Sequence, residues 1–267
     1  MTAFSVVNYL SRNVDNLIVG KFLGAESLGF YSLAYKLMLY PLQNISWVIS
    51  RVMFPALSQI QQDKEKIRFT FLRINKMVSL VTFPLMFAFF ILAPEIVYFI
   101  YGPKWYPLID LIRILSFCGL IQSISTNFGL IYMSQGKMAL QLKIAVINMI
   151  ILTCVLFLAC LNWGLKGVAI AYLIYTIVVS QISGIPALQV IGLRIGVLLR
   201  ELWGSLIWAF LFFFVGLGIL REIFYPLSWV SLIGICGVVF CLYFLVIKNT
   251  LISNGLMPER LGKFFRK

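Results

Sequence analysis

The sequence predicts an all-α integral membrane protein with about eight transmembrane helices. Of its residues 61% are hydrophobic and only 12% are charged, and the mean hydropathy is +0.98. A soluble globule needs more polar surface than this composition offers. Apolar segments close to the roughly 20 residues of a spanning helix follow one another with short gaps. Each segment should be helical because lipid offers no partner for an unpaired backbone group.

The first predicted helix, residues 4–23, carries a charged pair inside an apolar run. Arg12 and Asp15 lie in a segment that is otherwise apolar enough to enter a bilayer, where charges are costly. Helical spacing places the polar residues on one side of the cylinder, namely Ser5, Asn8, Ser11, Arg12, Asp15 and Asn16. One face of this helix therefore meets lipid or another helix, and the other face requires water or polar partners.

The second predicted helix, residues 27–55, has a similar polar stripe. The stripe consists of Ser32, Lys36, Tyr40, Gln43, Asn44, Trp47, Ser50 and Arg51. Two successive helices with polar faces indicate a shared polar region within the membrane.

The rest of the chain divides into six more apolar segments and one charged break. Residues 59–76 are predicted to form this break, which separates the second helix from the third. The remaining helices are predicted at residues 77–101, 108–134, 144–161, 167–190, 202–220 and 227–247. Pro84 and Pro94 interrupt the third helix, and the glycine turn NWGLKG makes the fifth and sixth helices antiparallel neighbours.

The distribution of Lys and Arg predicts the orientation of these helices. The connections after helices 1, 3, 5 and 7 hold one basic residue each, whereas those after helices 2, 4 and 6, together with the tail, hold fourteen. Basic residues are retained on the cytoplasmic side. The pattern therefore places the even connections and both chain ends in the cytoplasm.

Several classes of function are excluded by the same composition. The net charge of +13 is scattered between apolar segments, so a nucleic-acid interface is not expected. The five cysteines lie in or beside apolar runs without metal-binding spacing, and the chain has no histidine. We therefore expect no metal site, no cofactor and no catalytic residues.

Four basic residues, Arg12, Lys36, Arg51 and Arg113, fall at membrane depth or near its edge. In one interpretation Arg51 and Arg113 extend to the interface and Arg12 neutralises Asp15. In the other, a water-filled cavity with cationic walls attracts an anionic head group such as a diphosphate.

The candidate cavity residues are Asn8, Arg12, Asn16, Lys36, Gln43 and Arg113. Asp15 is the candidate site for a coupling proton or sodium ion, and a plain salt bridge to Arg12 is its alternative role.

Three stretches resemble a known family. The sequences SRNVDNLIVGKFLGAESLGFYSLAYKL, PLQNISWVISRVMFPALSQIQQD and YGPKWYPLIDLIRIL, in this order, resemble the second half of a bacterial polysaccharide flippase of the Wzx type, close to the colanic acid exporter group. That group belongs to the multidrug/oligosaccharidyl-lipid/polysaccharide exporter superfamily. The resemblance is dense from about residue 11 to residue 137 and weaker to residue 193.

The resemblance implies a fold of two six-helix lobes around a central cavity. Residues 1–193 would form the second lobe, residues 194–249 two extra transmembrane helices, and residues 250–267 a basic cytoplasmic tail. The implied substrate is undecaprenyl-diphosphate-linked oligosaccharide, moved across the bacterial inner membrane by alternating access. The first lobe would be missing, so the expected partners are membrane lipid and a separately made first lobe or a second copy.

Three alternatives remain at this point. A drug or ion exporter of the same superfamily would favour acidic and aromatic cavity residues. A membrane-embedded sugar polymerase or ligase needs a sizeable extracytoplasmic loop, and the outward connections here are short. A truncated product without activity is the third.

Overall fold

Apart from short turns, the chain is helical in the part that the computed structural model describes, which is the backbone of residues 2–223 and 229–253. Side chains are described from residue 13 onward, except at positions 46, 47, 50, 220, 221, 223, 229–233, 247 and 249–253. The α-helices are α1 (Thr2–Gln59), α2 (Lys64–Ile91), α3 (Ala93–Ile96), α4 (Leu108–Ser125), α5 (Phe128–Ser134), α6 (Met138–Ile191), α7 (Ile195–Ala209), α8 (Leu217–Ile223) and α9 (Trp229–Ser253). Two π-helical segments, Val97–Tyr101 and Phe210–Gly216, and the 3-10 turn Pro103–Trp105 lie between them.

Helix α1 reverses its direction at a single residue, Gly24. This glycine has φ 84° and ψ 174°, a conformation that is essentially restricted to glycine. Along a continuous helix, 16 residues would span about 24 Å, yet the hydroxyl of Tyr31 lies 3.3 Å from the carboxylate of Asp15, 16 residues earlier. Residues 2–23 and 25–59 are therefore two antiparallel helices, as the sequence predicts.

Helix α6 reverses in the same way at Gly164, which has φ 61° and ψ −161°. The hydroxyl of Tyr175 donates to the backbone oxygen of Asn148, 27 residues earlier, over 3.2 Å. This contact requires residues 138–163 and 165–191 to lie side by side, which confirms the predicted turn at NWGLKG.

The predicted break at residues 59–76 is wrong over most of its length, because α2 begins at Lys64. Asp63 is the N-cap of this helix, and its carboxylate accepts a hydrogen bond from the backbone N–H of Lys66 over 3.1 Å. The charged segment is amphipathic, and its apolar positions recur at helical spacing and are buried, at Ile67, Phe71, Ile74 and Val78. The charged residues lower the mean hydropathy of this segment, so hydropathy alone does not reveal its apolar stripe.

The turns after the first, third and fifth predicted helices lie at one end of the molecule. The rings of Phe30 and Trp105 meet edge to face at 5.4 Å, which brings the Gly24 turn next to the Pro103–Trp105 turn. Lys166 forms an ion pair with Asp110 at 2.5 Å, which joins the Gly164 turn to the first turn of α4.

The turns after the second, fourth and sixth predicted helices lie together at the other end. The side chain of Gln135 donates to the backbone oxygen of Gln61 over 3.3 Å. Arg68 donates from Nε to the backbone oxygen of Ile191 at 2.5 Å, beside Gly192 in the left-handed conformation that ends α6. The grouping of odd and even connections at opposite ends agrees with the alternation of basic residues along the chain.

Two hydrophobic clusters form the core of the described part. One joins both halves of α1 to α4 and to α6, around Tyr31, Leu115 and Tyr172. The other joins α2 to the last turns of α6 and to α7 and α9, where the hydroxyl of Tyr243 donates to the backbone oxygen of Leu80 over 2.8 Å. The division of the chain at residue 193 stays a prediction.

Five helices of the described part are long and apolar enough to cross a membrane, at Asn13–Ile45, Lys64–Ile91, Leu108–Ser134, Met138–Ile191 and Ile195–Ile219. The first and fourth of these contain the reversals at Gly24 and Gly164, so each supplies two antiparallel segments. A shorter apolar stretch, Gly234–Val246, lies in α9. The chain is therefore a multi-pass, all-α membrane protein. The predicted tail at 250–267 falls outside the described residues from position 254 onward.

Candidate functional site

A carboxylate is buried where the two halves of α1 meet. Asp15 is only 1% exposed, and its two oxygens accept hydrogen bonds from the backbone N–H of Asn16 at 2.8 Å and from the hydroxyl of Tyr31 at 3.3 Å. Among the side chains that the structure describes, no cation lies within 4.0 Å of this carboxylate. The reversal at Gly24 creates the site because it turns Tyr31 back onto Asp15.

Two further tyrosines extend this polar contact into the core. The ring of Tyr31 stacks on that of Tyr35 with centroids 6.0 Å apart, and the hydroxyl of Tyr35 lies 3.2 Å from that of Tyr172 on α6. Gln122 of α4 donates from Nε2 to the Tyr172 oxygen over 2.8 Å. We call these five residues, Asp15, Tyr31, Tyr35, Gln122 and Tyr172, the tyrosine network. It connects both halves of α1 with α4 and α6.

Asn16, the neighbour of the buried carboxylate, offers a further oxygen. Its side-chain Oδ1 is buried and accepts no hydrogen bond from the described residues. A buried carbonyl oxygen without a donor is costly. Asp15 and Asn16 together thus present oxygen atoms that are suited to a proton, a hydrogen-bond donor or a hard cation such as sodium.

Lys36 and Gln43 lie in the second half of α1, and both side chains are exposed. We define the open face by Lys36, Tyr40, Gln43 and Asn44, all of which are exposed in the described part of the chain. Tyr40 is 71% exposed, and the side chain of Asn44 donates to its backbone oxygen over 2.9 Å. The structure therefore groups Lys36 with Gln43 on the exposed side of the second half of α1, and leaves Asp15 and Asn16 in the first half.

A groove runs beside the open face. It has a volume of about 340 Å³ and is lined by Leu33, Lys36, Leu37, Tyr40, Pro41, Leu85 and Phe89. We call it the Lys36 groove. Lys36 is the single charged residue among these seven.

Arg113 takes a different position from the other candidate cations. It is half-buried on α4, and its guanidinium carbon lies 5.9 Å from the ring centroid of Phe90. Its Nε is buried and donates to no described residue. Phe90 in turn packs on Phe117 and on Phe214 of the second π-helical segment. These contacts place Arg113 against an aromatic cluster, and no described contact joins it to Lys36.

Two candidate residues, Asn8 and Arg12, have side chains outside the described part of the structure, although their backbone belongs to α1. Their roles as cavity residues, and the alternative salt bridge from Arg12 to Asp15, stay predictions.

Sequence reasoning did not single out the tyrosines of the network. Tyr31 and Tyr35 are spaced by one helical turn, which is a signal for a common face, but their orientation towards Asp15 depends on the reversal at Gly24. A second buried polar pair was also missed: the Asn127 amide donates to the Asn75 side-chain oxygen over 3.0 Å. Neither member of this pair follows a motif, so only the packing of α2 against the α4 and α5 region brings them together.

Comparison with known proteins identifies relatives along much of the chain. The sequence profile of the family described as "Polysaccharide biosynthesis protein" matches residues 1–110. An "Uncharacterized membrane protein in cps region" of Klebsiella pneumoniae is 33% identical over 174 residues, which are 65% of this chain and 36% of that protein.

Two named relatives agree with this match. The "Lipopolysaccharide biosynthesis protein WzxC" of Escherichia coli (strain K12) is 28% identical over 183 residues, 68% of this chain and 37% of the relative. The "Teichuronic acid biosynthesis protein TuaB" of Bacillus subtilis (strain 168) is 30% identical over 132 residues, 49% of this chain and 27% of the relative. The chain thus spans well under half of the length of the curated relatives it matches.

Proposed function

Because the chain belongs to the Wzx-type family of polysaccharide biosynthesis proteins, we propose that it forms part of a carrier that moves undecaprenyl-diphosphate-linked oligosaccharide across the bacterial inner membrane. The observation that carries this proposal is the open face, on which Lys36 and Gln43 are both exposed. Its role is transport in polysaccharide biosynthesis and export, and the chain supplies binding groups without catalysing a covalent reaction.

The open face is suited to an anionic head group. Lys36 lies about 18 Å along the helix axis from the Gly24 turn, well inside a hydrocarbon core of roughly 30 Å. Among the described residues no carboxylate lies within 4.0 Å of its ammonium group. A cation at this depth requires water or an anion. A diphosphate with a sugar attached satisfies this requirement, and Gln43 adds hydrogen-bonding capacity two turns further along the helix.

Asp15 is the proposed site of the coupling ion. Its carboxylate accepts hydrogen bonds from two donors, and the side-chain oxygen of Asn16, which accepts none from the described residues, lies on the next residue. Binding of a proton or a sodium ion there would change how the two halves of α1 pack, because Tyr31 donates to the same carboxylate from the other half. Such a change couples the ion to the position of the open face.

A second lobe is the proposed partner. An alternating-access carrier works by the rocking of one lobe against another around a shared site, and this chain spans only 36–37% of its first two relatives. We propose that the open face meets either a separately made first lobe or a second copy of this chain.

The position of the tyrosines favours this substrate over a drug. A drug exporter of the same superfamily would expose acidic and aromatic residues to its cavity. Here Asp15, Tyr31 and Tyr172 are all buried, at 1%, 0% and 5% exposure, whereas the open face carries a lysine, one tyrosine (Tyr40) and no acidic residue. This arrangement supports an anionic substrate.

The test is a set of chromosomal substitutions in the native strain, so that any partner is present. We expect Lys36→Ala to reduce surface polysaccharide to about a tenth or less, since a charge-assisted contact to a phosphate is lost. Lys104→Ala, an exposed lysine in the turn before α4, is the matched control and should leave the polymer unchanged. Immunoblots verify equal protein levels. Normal polysaccharide in the Lys36→Ala strain would overturn the proposal.

Asp15 is tested in the same strain. Asp15→Asn keeps the size of the side chain and its hydrogen bonds to the backbone but cannot take up a proton or neutralise a cation. We expect it to abolish export at a normal protein level. Export that persists in Asp15→Asn would remove the coupling role and leave the substrate proposal intact.

A further inference from the structure

The Lys36 groove lies between two helical stripes. Its α1 wall consists of residues spaced by one and two turns, at Leu33, Lys36, Leu37, Tyr40 and Pro41, and its α2 wall consists of Leu85 and Phe89. The volume of about 340 Å³ falls within the range of small-molecule sites. The apolar lining residues are half-buried, so the groove is accessible from the side.

The chemistry of the groove is that of an amphiphile site. Five of its seven lining residues are aliphatic, proline or phenylalanine, and Lys36 supplies one positive charge at its edge. Pro41 has no N–H, so the backbone oxygen of Leu37 accepts no helical hydrogen bond from it. An apolar chain with an anionic end matches this combination of surfaces.

The depth of the groove selects the kind of lipid. Lys36 lies about 18 Å from the Gly24 turn along the helix axis, and Phe89 lines the same groove and therefore lies at a similar depth. Both residues are thus inside the hydrocarbon core. The phosphate of a resident phospholipid stays at the head-group level, outside this core. A lipid whose phosphate is crossing the bilayer brings an anion to this depth, which favours such a lipid over a resident phospholipid as the partner of Lys36.

We propose that the Lys36 groove holds the part of the polyprenyl chain that lies next to the diphosphate of the lipid-linked oligosaccharide, while the diphosphate contacts Lys36. This inference rests on the proposed function and adds to it the place where the lipid part of the substrate travels. The polyprenyl chain lies between α1 and α2, beside the open face. A second copy of this protein and an ordinary phospholipid are the competing occupants.

Site-specific photocrosslinking tests this placement. The full chain carries benzoylphenylalanine at position 89, or at position 174 as the control, and is reconstituted in nanodiscs of phosphatidylethanolamine and phosphatidylglycerol with trace radiolabelled undecaprenyl diphosphate. Ile174 is an apolar residue of α6 that is 57% exposed and lies outside the groove. We expect the labelled adduct at position 89 to exceed that at position 174 about tenfold. Lys36→Ala should lower it by about the same factor, and Lys104→Ala should not.

Several outcomes would overturn the inference. Equal adducts at positions 89 and 174 would mean contact with bulk lipid, a phospholipid adduct at 89 would identify a resident lipid, and a protein dimer would identify a second copy. Position 85 serves as a second probe, and size-exclusion chromatography confirms that each variant is folded. If the labelled adduct at position 89 does not exceed that at position 174 while Lys36→Ala still abolishes polysaccharide in cells, only the groove assignment is overturned. If the Lys36→Ala strain makes normal polysaccharide, the proposed function itself is overturned.

Discussion

At the scale of single residues, the most informative contact is the hydrogen bond from Tyr31 to Asp15. Asp15 could be selected from the sequence because an acidic residue in an apolar helix is unusual. Its partner Tyr31 could not be selected in this way, since Tyr31 lies 16 residues away and faces Asp15 only after the chain reverses. Lys36 was likewise selected by its type and depth, whereas the groove beside it depends on Leu85 and Phe89, two ordinary apolar residues of another helix.

Tyr31→Phe removes one of the two described hydrogen bonds to the Asp15 carboxylate. We expect a loss of stability of roughly 1–3 kcal/mol, because a buried acceptor is left without its donor. The thermal unfolding midpoint of the protein in detergent measures this loss.

Tyr106→Phe is the matched control for this change, since Tyr106 is 46% exposed, and its midpoint should equal that of the wild type. In an Asp15→Asn background the effect of Tyr31→Phe should shrink. An undiminished effect there would show that the stability came from packing of the ring.

At the scale of elements, the apolar parts of the helices were predicted well, whereas α2, α6 and α7 begin 13, 6 and 7 residues before their predicted starts at 77, 144 and 202. Apolar runs locate the helices because lipid requires both continuous hydrophobicity and backbone hydrogen bonding. The start of α2 was missed because Asp63 and the charged residues after it dilute the hydropathy, although every third or fourth residue there is apolar and buried. Amphipathic spacing would have revealed this start where mean hydropathy could not.

Gly24→Ala tests the reversal of α1. The Cβ of an alanine at this position would have no atom within 4 Å, so the energetic cost of the substitution comes only from the backbone conformation at φ 84°. We expect a destabilisation of roughly 1–3 kcal/mol in the unfolding free energy.

Gly29→Ala is the matched control, because its Cβ would also meet nothing but its backbone is helical. It should be neutral or stabilise by up to about 1 kcal/mol. Equal effects of the two substitutions would contradict the special role of Gly24.

The N-cap of α2 predicts a pH dependence. The backbone N–H of Lys66 donates to Asp63, which lowers the pKa of this carboxyl below its ordinary value of 3.8, and the Lys66 side chain adds to the effect. The stabilisation is complete above pH 3.8 and is lost as the pH falls through the lower folded-state pKa.

Hydrogen exchange in the first turn of α2, relative to residues 85–91 of the same helix, should therefore accelerate in acid. Asp63→Asn retains a capping side chain and should exchange at a rate that does not respond to pH in this way. A wild-type first turn that is insensitive to acid would refute the capping role.

At the scale of the whole molecule, the alternating basic residues and the grouped turns give the same orientation. The Gly24, Gly102 and Gly164 turns carry few positive charges, and the opposite end carries many. Sequence predicted this topology because charge counting needs no three-dimensional information. The shape of the open face could not be predicted, since exposure depends on which helices cover α1.

Cysteine labelling tests the orientation in intact cells. In a cysteine-free background, Lys104→Cys should react with a membrane-impermeant maleimide added from the side of the membrane opposite the cytoplasm. Lys137→Cys, at the opposite end, should react only after permeabilisation. The reverse pattern would invert the topology.

The single-glycine reversal at Gly24 also bears on biogenesis. The first half of α1 brings Asp15 to the translocon, where an isolated acidic residue costs roughly 2.5–3.5 kcal/mol to release into lipid. Tyr31 follows 16 residues later, within a few seconds at about 5–20 residues per second. No loop separates the two halves, so we expect them to enter the bilayer together as a helical hairpin. The Tyr31 hydroxyl would then be available to the Asp15 carboxylate already during membrane insertion, before the other helices pack around it.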